Sequence, residues 1–141
     1  MAATGSKTDT LEQIVLDLLF GTIAAGWTRP ADFDSWDVIL FTTLPDDAAS
    51  GGVEATGGNY AAVMVANTDA EWSRTNSVAT NVNAISFPVL NGSIGTVLGW
   101  GLKDAGGVLR YWGAFDAADQ KAYVANDQPI IPAGALTVTE D

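Results

Sequence analysis

The stretch Gly95–Phe115, GTVLGWGLKDAGGVLRYWGAF, constrains the fold more than any other part of this chain. Two apolar runs flank a short Asp/Gly cluster, the local signature of an antiparallel hairpin. Val97, Leu98, Trp100 and Leu102 precede the turn, and Val108, Leu109, Tyr111, Trp112 and Phe115 follow it. Asp104, Gly106 and Gly107 supply the backbone conformations that a tight turn requires. Strands of about Gly95–Lys103 and Val108–Ala114 result. Alternation puts Val97, Gly99 and Gly101 on one face of the first strand and Leu98, Trp100 and Leu102 on the other. The glycines leave space for a large side chain to cross above them. Such a hairpin must bury a face against further β structure, so it reads as the centre of a sandwich or small barrel.

The remaining chain supplies that structure. Leu11, Ile14, Val15, Leu18 and Leu19 recur at helical spacing and predict a helix over about Thr10–Phe20. Thr8, Asp9 or Thr10 caps it, and Gly21 ends it. Its apolar face packs on the sheet or docks on a partner chain. Residues 22–36 read as a loop carrying Trp27, Phe33 and Trp36. Asp37–Thr43 is apolar on successive positions and predicts a strand covered on both faces, one of them by the helix. Tyr60–Ala66 and Asn83–Phe87 read as strands, the second closed by Pro88. Asn67–Asn76, with Trp72, reads as a connection near the surface, and Ser77–Ala84 as an Asn-rich polar stretch. Lys121 begins another strand. Gln128–Pro132 reads as an edge strand limited by its prolines, and Ala135–Thr139 as a final strand with Leu136 and Val138 facing in.

The sum is a mainly β chain: an antiparallel β-sandwich or jelly-roll-like barrel of about seven or eight strands with one N-terminal α-helix. Residues 1–9 read as an N-terminal arm and residues 10–141 as a single domain.

Composition excludes much chemistry. The chain has no histidine and no cysteine, so Ser-His-Asp and Cys-His triads, disulfides and thiolate metal sites are impossible. Six basic residues stand against 17 acidic ones, a net charge of −11, the opposite of a nucleic-acid footprint. No apolar run is long enough to cross a membrane, and the N-terminus lacks the order of a signal peptide. The loop 46–59 holds Asp46, Asp47 and Glu54, which raises calcium binding, but the order of a calcium loop is absent. Its GGxxxxGG spacing is not a phosphate loop either, because no Gly-Lys-Ser/Thr follows. Asp46 and Glu54 could serve as an acid–base pair, yet they sit in a glycine-rich loop without a supporting shell. The sequence therefore predicts no catalytic, cofactor or metal residues and no enzyme. Candidate contact residues are Trp27, Phe33, Trp36, Trp72 and Arg110. The aromatics read as packed under loops or as an interface patch. Trp27, Trp36 and Trp72 could alternatively offer ring faces to a carbohydrate. Arg110 pairs with a surface carboxylate or contacts a subunit.

One resemblance spans about Leu16 to Thr139. Leu16-Asp17-Leu18-Leu19, Phe41-Thr42-Thr43-Leu44-Pro45-Asp46-Asp47, Gly52-Val53-Glu54 and Gly57-Gly58-Asn59-Tyr60 occur in that order. Ile85-Ser86-Phe87-Pro88, Gly95-Thr96-Val97, Tyr111-Trp112-Gly113-Ala114 and Ala133-Gly134-Ala135-Leu136-Thr137-Val138-Thr139 follow. This order resembles a family of small tailed-bacteriophage virion proteins, labelled tail fibre protein or phage structural protein. Members commonly carry Arg soon after the tyrosine, where this chain has Ala61-Ala62. The resemblance implies a virion location and, as partners, the major capsid protein and other virion proteins. Small size and acidic charge turn that implication towards a capsid decoration (cement) protein, with a homotrimer as the expected oligomer. A tail, baseplate or fibre-base component is the alternative.

Overall fold

The computed structural model describes residues 9–23 and 26–140. The expected arm before Asp9, and the side chains expected to cap the helix, lie outside the described residues. One helix, α1 (Asp9–Phe20), precedes twelve short strands among the described residues. The chain is mainly β, and all the pairing is antiparallel.

The backbone of the fold is the long strand β1 (Ser35–Thr43). One edge of it pairs with β8 (Gly99–Lys103), which pairs in turn with β9 (Leu109–Ala114). Its other edge is shared: β3 (Val63–Ala66) pairs with residues 35–38, and β2 (Val53–Glu54) pairs at Phe41 and Thr43. Leu40 falls in the gap between these two partners. There its N–H donates to the Tyr60 hydroxyl at 3.0 Å, and its C=O accepts from the Ala55 N–H at 2.8 Å. The break in the ladder therefore leaves no orphaned backbone group at Leu40.

The opposing layer is built from smaller sheets. β4 (Trp72–Thr75), β5 (Val78–Asn81) and β12 (Thr137–Thr139) form one, in the order β12-β5-β4. β6 (Ile85–Ser86) pairs with β11 (Ile130–Ile131), and β7 (Gly95–Val97) pairs with β10 (Lys121–Tyr123). The core lies between the layers. Trp36, Val38, Leu40, Trp100 and Leu102 come from one side, and Trp72, Ala79, Phe87, Ile131, Leu136 and Val138 from the other. Leu16 and Phe20 of α1 close one end.

Several expectations change. The first strand of the hairpin is two strands, because the chain bends at Leu98. β7 leaves to pair with β10, while β8 stays between β1 and β9. The strand count rises from seven or eight to twelve through this split, the two-residue β2, and the hairpin formed by Trp72–Thr75 and Val78–Asn81, which read as polar connections. Their polar residues alternate with Trp72, Ala79 and Asn81, which are buried. Among the described side chains of α1, residues 13–20, the fully buried ones are Leu16 and Phe20; Ile14, Val15 and Leu18 are only half-buried, and Leu11 lies outside the described side chains. In the hairpin turn only Gly107 takes a left-handed backbone, at φ 84°.

The space above the glycines of β8 is filled. Ile39 and Phe41 alternate with the core residues of β1 and face the other way, yet both are buried. A Cβ at Gly101 would sit 2.6 Å from the Phe41 ring, 2.9 Å from Leu109 and 3.0 Å from Ile39. Gly101→Ala should therefore destabilise the fold by about 1–3 kcal/mol, the usual cost of overpacking. Phe41→Leu in the same chain should recover part of the loss. Urea midpoints of the two variants check this.

Candidate functional site

The expected contact residues separate. Trp36 and Trp72 are 0% and 1% exposed and belong to the core. They have no face to offer a partner or a sugar, which corrects their reading as surface aromatics. Phe20 holds them together: its ring stacks on Trp36 at 5.4 Å and meets Trp72 edge-on at 4.9 Å. Phe33 is half-buried, 5.8 Å from Trp36. Trp27 is half exposed. Arg110 lies over the Phe33 ring at 5.4 Å, and its Nε donates to Asp104 Oδ2 at 2.8 Å. Asp104 is fully buried within the hairpin turn. Its Oδ1 accepts from the Val108 N–H at 3.0 Å. That backbone bond, with the Arg110 guanidinium, holds the Asp104 carboxyl below its ordinary range.

The acids of the 46–59 loop do not converge. Asp46 Oδ1 accepts from the Ala48 and Ser50 N–H groups at 3.0 and 2.9 Å and so shapes its own turn. Glu54 reaches Lys103 Nζ at 3.5 Å and the Tyr60 hydroxyl at 3.3 Å. Burial, with Glu54 beside it, pushes the Tyr60 pKa up from its ordinary value. Among the described residues no group of three or more acidic side chains could hold a metal ion.

The C-terminus of α1 was not legible as a polar centre. Its last turn contains no basic residue, yet its final carbonyls face three donors from elsewhere. Arg29 Nε donates to Leu18 O at 2.6 Å, and its Nη2 donates to Asp17 O and Gly21 O. Trp36 Nε1 donates to Leu19 O at 2.9 Å, and Arg74 Nη1 to Phe20 O at 3.3 Å. Two cations thus meet the negative end of the helix dipole and satisfy its orphan carbonyls. Gly21 is required here for space. A Cβ would run into the Arg74 guanidinium, which would have to shift away from the helix end, and Gly21 does not take the left-handed backbone of a glycine cap.

Arg74 also pairs with Asp17 at 2.8 Å and with Asp69 at 2.7 Å. Asp69 accepts the Thr22 hydroxyl at 2.5 Å and the Thr22 N–H at 3.1 Å. These Thr22 bonds, ahead of the Arg74 pairing, lower the Asp69 pKa to about 2. A depressed carboxyl stabilises the fold above its unfolded pKa and loses that contribution as pH falls through the folded value. Asp69→Asn should therefore lower Tm at pH 5, and the difference from the parent chain should shrink steadily as pH falls towards about 2. A pH series of thermal melts checks it.

A concave feature of the surface lies elsewhere. A cleft of about 590 Å³ opens between the end of β9 and the start of β12. Trp100 and Ile131, both core residues, contribute to its lining. Trp112, Gly113 and Ala114 bound it on the β9 side, and Ala135 and Thr137 on the β12 side. Asp116 and Asp119, both exposed, also line it. No sequence signal pointed to this cleft, because its wall comes from segments spread between residues 100 and 137.

The fold is mainly β, with one α-helix among the described residues and with strand edges left open at β9 and β12. A family model described as podophage GP4 fiber I protein gp80 matches residues 6–139, so the chain belongs to that family and is a bacteriophage virion structural protein. No curated protein and no solved structure matches. No helix among the described residues is long and apolar enough to cross a membrane.

Proposed function

We propose that this chain is a structural component of the tail-fibre apparatus of a short-tailed phage and acts by assembly with other virion proteins, without catalysis. The match of the fibre family across residues 6–139 carries this reading. It favours the tail over the capsid surface, the position to which small size and acidic charge had pointed. A carbohydrate-binding role through Trp27, Trp36 and Trp72 loses two of its three rings to the core. The surface that remains for assembly is the open side of the sandwich, where strand edges stand unpaired beside a cleft.

Location and copy number test the proposal. Virions carrying an epitope on the exposed 47–51 turn would be split into heads and tails and quantified by mass spectrometry. Recovery with tails, in tens of copies or fewer, is the expected result. Recovery with heads in hundreds of copies would replace it with capsid decoration.

A further inference from the structure

One donor in the wall of the cleft has nothing to donate to. Trp100 is 7% exposed and lines the cleft. Its indole N–H makes no hydrogen bond among the described residues. The unpartnered side-chain atoms sealed from solvent in this fold are Asn67 Oδ1 and Trp72 Nε1; Trp100 Nε1 is not one of them and keeps its access. The edge of the indole that carries the N–H lies beneath Gly113. A Cβ at that position would sit 2.7 Å from Cζ2, 2.8 Å from Cε2 and 3.0 Å from Nε1 of Trp100. Gly113 lines the same cleft, and having no side chain it leaves this donor uncovered. A buried donor without a partner is costly unless something supplies an acceptor. The rim has the opposite chemistry. Asp116 precedes and Asp119 ends the 3-10 turn Ala117–Asp119, whose three-residue repeat sets both side chains on one side. Both line the cleft, both are exposed, and neither carboxylate has a hydrogen bond or ion pair among the described residues. Asp119 lies close enough to Tyr123 to help raise its pKa, after burial and Asp127. Phe115 and Tyr123, partly buried, add ring surface, and no basic side chain lines the cleft.

We propose that the cleft binds an arginine-bearing peptide segment of another virion protein, with the guanidinium against Asp116 and Asp119 and a nearby main-chain carbonyl on the Trp100 N–H. The inference rests on the reading above only in placing the partner in the virion. Charge selects the occupant. Two adjacent carboxylates without a base call for a ligand that donates and carries positive charge, and a neutral sugar would leave both anions uncompensated. Arginine brings five N–H donors, no acceptor, and a flat face that stacks on aromatic rings. The fold already uses this chemistry internally, where Arg110 lies over the Phe33 ring and pairs with Asp104. A second copy of the chain is a poor source of the cation. Arg29, Arg74, Lys103, Arg110 and Lys121, the basic residues among the described ones, each pair with a carboxylate of their own chain. The net charge of −11 draws a basic partner from a distance. The volume of about 590 Å³ exceeds a lone side chain and suits a short segment that brings its own backbone acceptor.

The test reads the orphan donor itself. The isotope-labelled full chain would be titrated with the peptide acetyl-Ala-Arg-Ala-amide at low salt, and the Trp100 indole N–H followed by NMR. A saturable shift of that signal is expected. Asp116→Asn combined with Asp119→Asn changes two exposed side chains, so the melting temperature should stay at the parent value. Peptide binding should weaken at least about fivefold, the scale of two exposed ion pairs together. The same double substitution carried by the phage should lower the copies of this chain per particle severalfold, counted by mass spectrometry. No shift at Trp100, equal binding by the double variant, an equal shift with acetyl-Ala-Glu-Ala-amide or with methyl glucoside, or unchanged copies per particle would each overturn the proposal. A Trp100 signal that moves on dilution of the peptide-free chain would overturn it in favour of a second copy. The titration uses purified protein and the count uses whole particles, so neither depends on whether the chain is recovered with heads or with tails.

Discussion

Trp36→Ala is expected to remove about 3–5 kcal/mol of unfolding free energy, the usual cost of deleting a fully buried large aromatic. The ring has no solvent exposure. It stacks on Phe20, meets Tyr111 edge-on at 5.8 Å and lies 5.8 Å from Phe33. It joins three parts of the fold: β1, the end of α1, and β9. Its Nε1 also supplies the donor for Leu19 O, so the truncation opens a cavity and orphans a helix carbonyl together. Trp36→Phe separates the two effects. It retains most of the packing and loses the hydrogen bond, and should cost about 1–2 kcal/mol. Trp27→Ala, at a half-exposed ring, should fall within about 0.5 kcal/mol of the parent. Urea denaturation of the three variants gives the order. A Trp36→Ala loss as small as that of Trp27→Ala would refute the placement of Trp36 as the joint between helix and sheet.

The same residue shows where sequence reasoning stops. The β8–β9 hairpin was legible because its signal is local: an Asp/Gly turn between apolar runs. Phe41 crossing over Gly101 was legible in outline, since paired glycines in a strand imply a close approach. The burial of Trp36 and Trp72 was not, because a tryptophan beside polar residues has the same local appearance in a surface loop and in a short strand. Only the pairing of Trp72 with Asn81 across β4 and β5 decides which way its ring turns. The arginines at the end of α1 were hidden for a related reason. Arg29 and Arg74 follow Leu18 and Phe20 by 11 and 54 positions, and no periodicity links them. The cleft is the extreme case. Its lining is drawn from segments between residues 100 and 137, and nothing local joins residues so far apart in a chain whose strand order is not known.

Asn81→Leu is expected to cost about 3–5 kcal/mol, although it replaces a polar residue in the core with an apolar one of similar size. Asn81 is 2% exposed. Its Nδ2 donates to Asn83 O at 2.8 Å and Pro132 O at 2.9 Å, and its Oδ1 accepts from the Leu136 N–H at 2.9 Å. Its backbone adds bonds to Leu136 O and from the Gly134 N–H. One side chain thus serves three backbone groups of other residues; leucine would leave the Leu136 N–H and the Asn83 carbonyl without it at roughly 1–3 kcal/mol each, while Pro132 O keeps the Ala135 N–H. Asn81→Asp distinguishes this account from a simple packing defect. The carboxylate still accepts from Leu136 but faces the Asn83 and Pro132 carbonyls as an anion, which burial also disfavours. Its folded pKa should be raised, so the variant should regain stability as pH falls through that value and the acid gains a proton to donate. Thermal melts between pH 7 and pH 4 should show that recovery for Asn81→Asp and none for Asn81→Leu. The turn that Asn81 pins carries Pro132, Ala135 and Thr137 into the wall of the cleft. Loosening it should speed hydrogen exchange at Gly134 and Leu136 first.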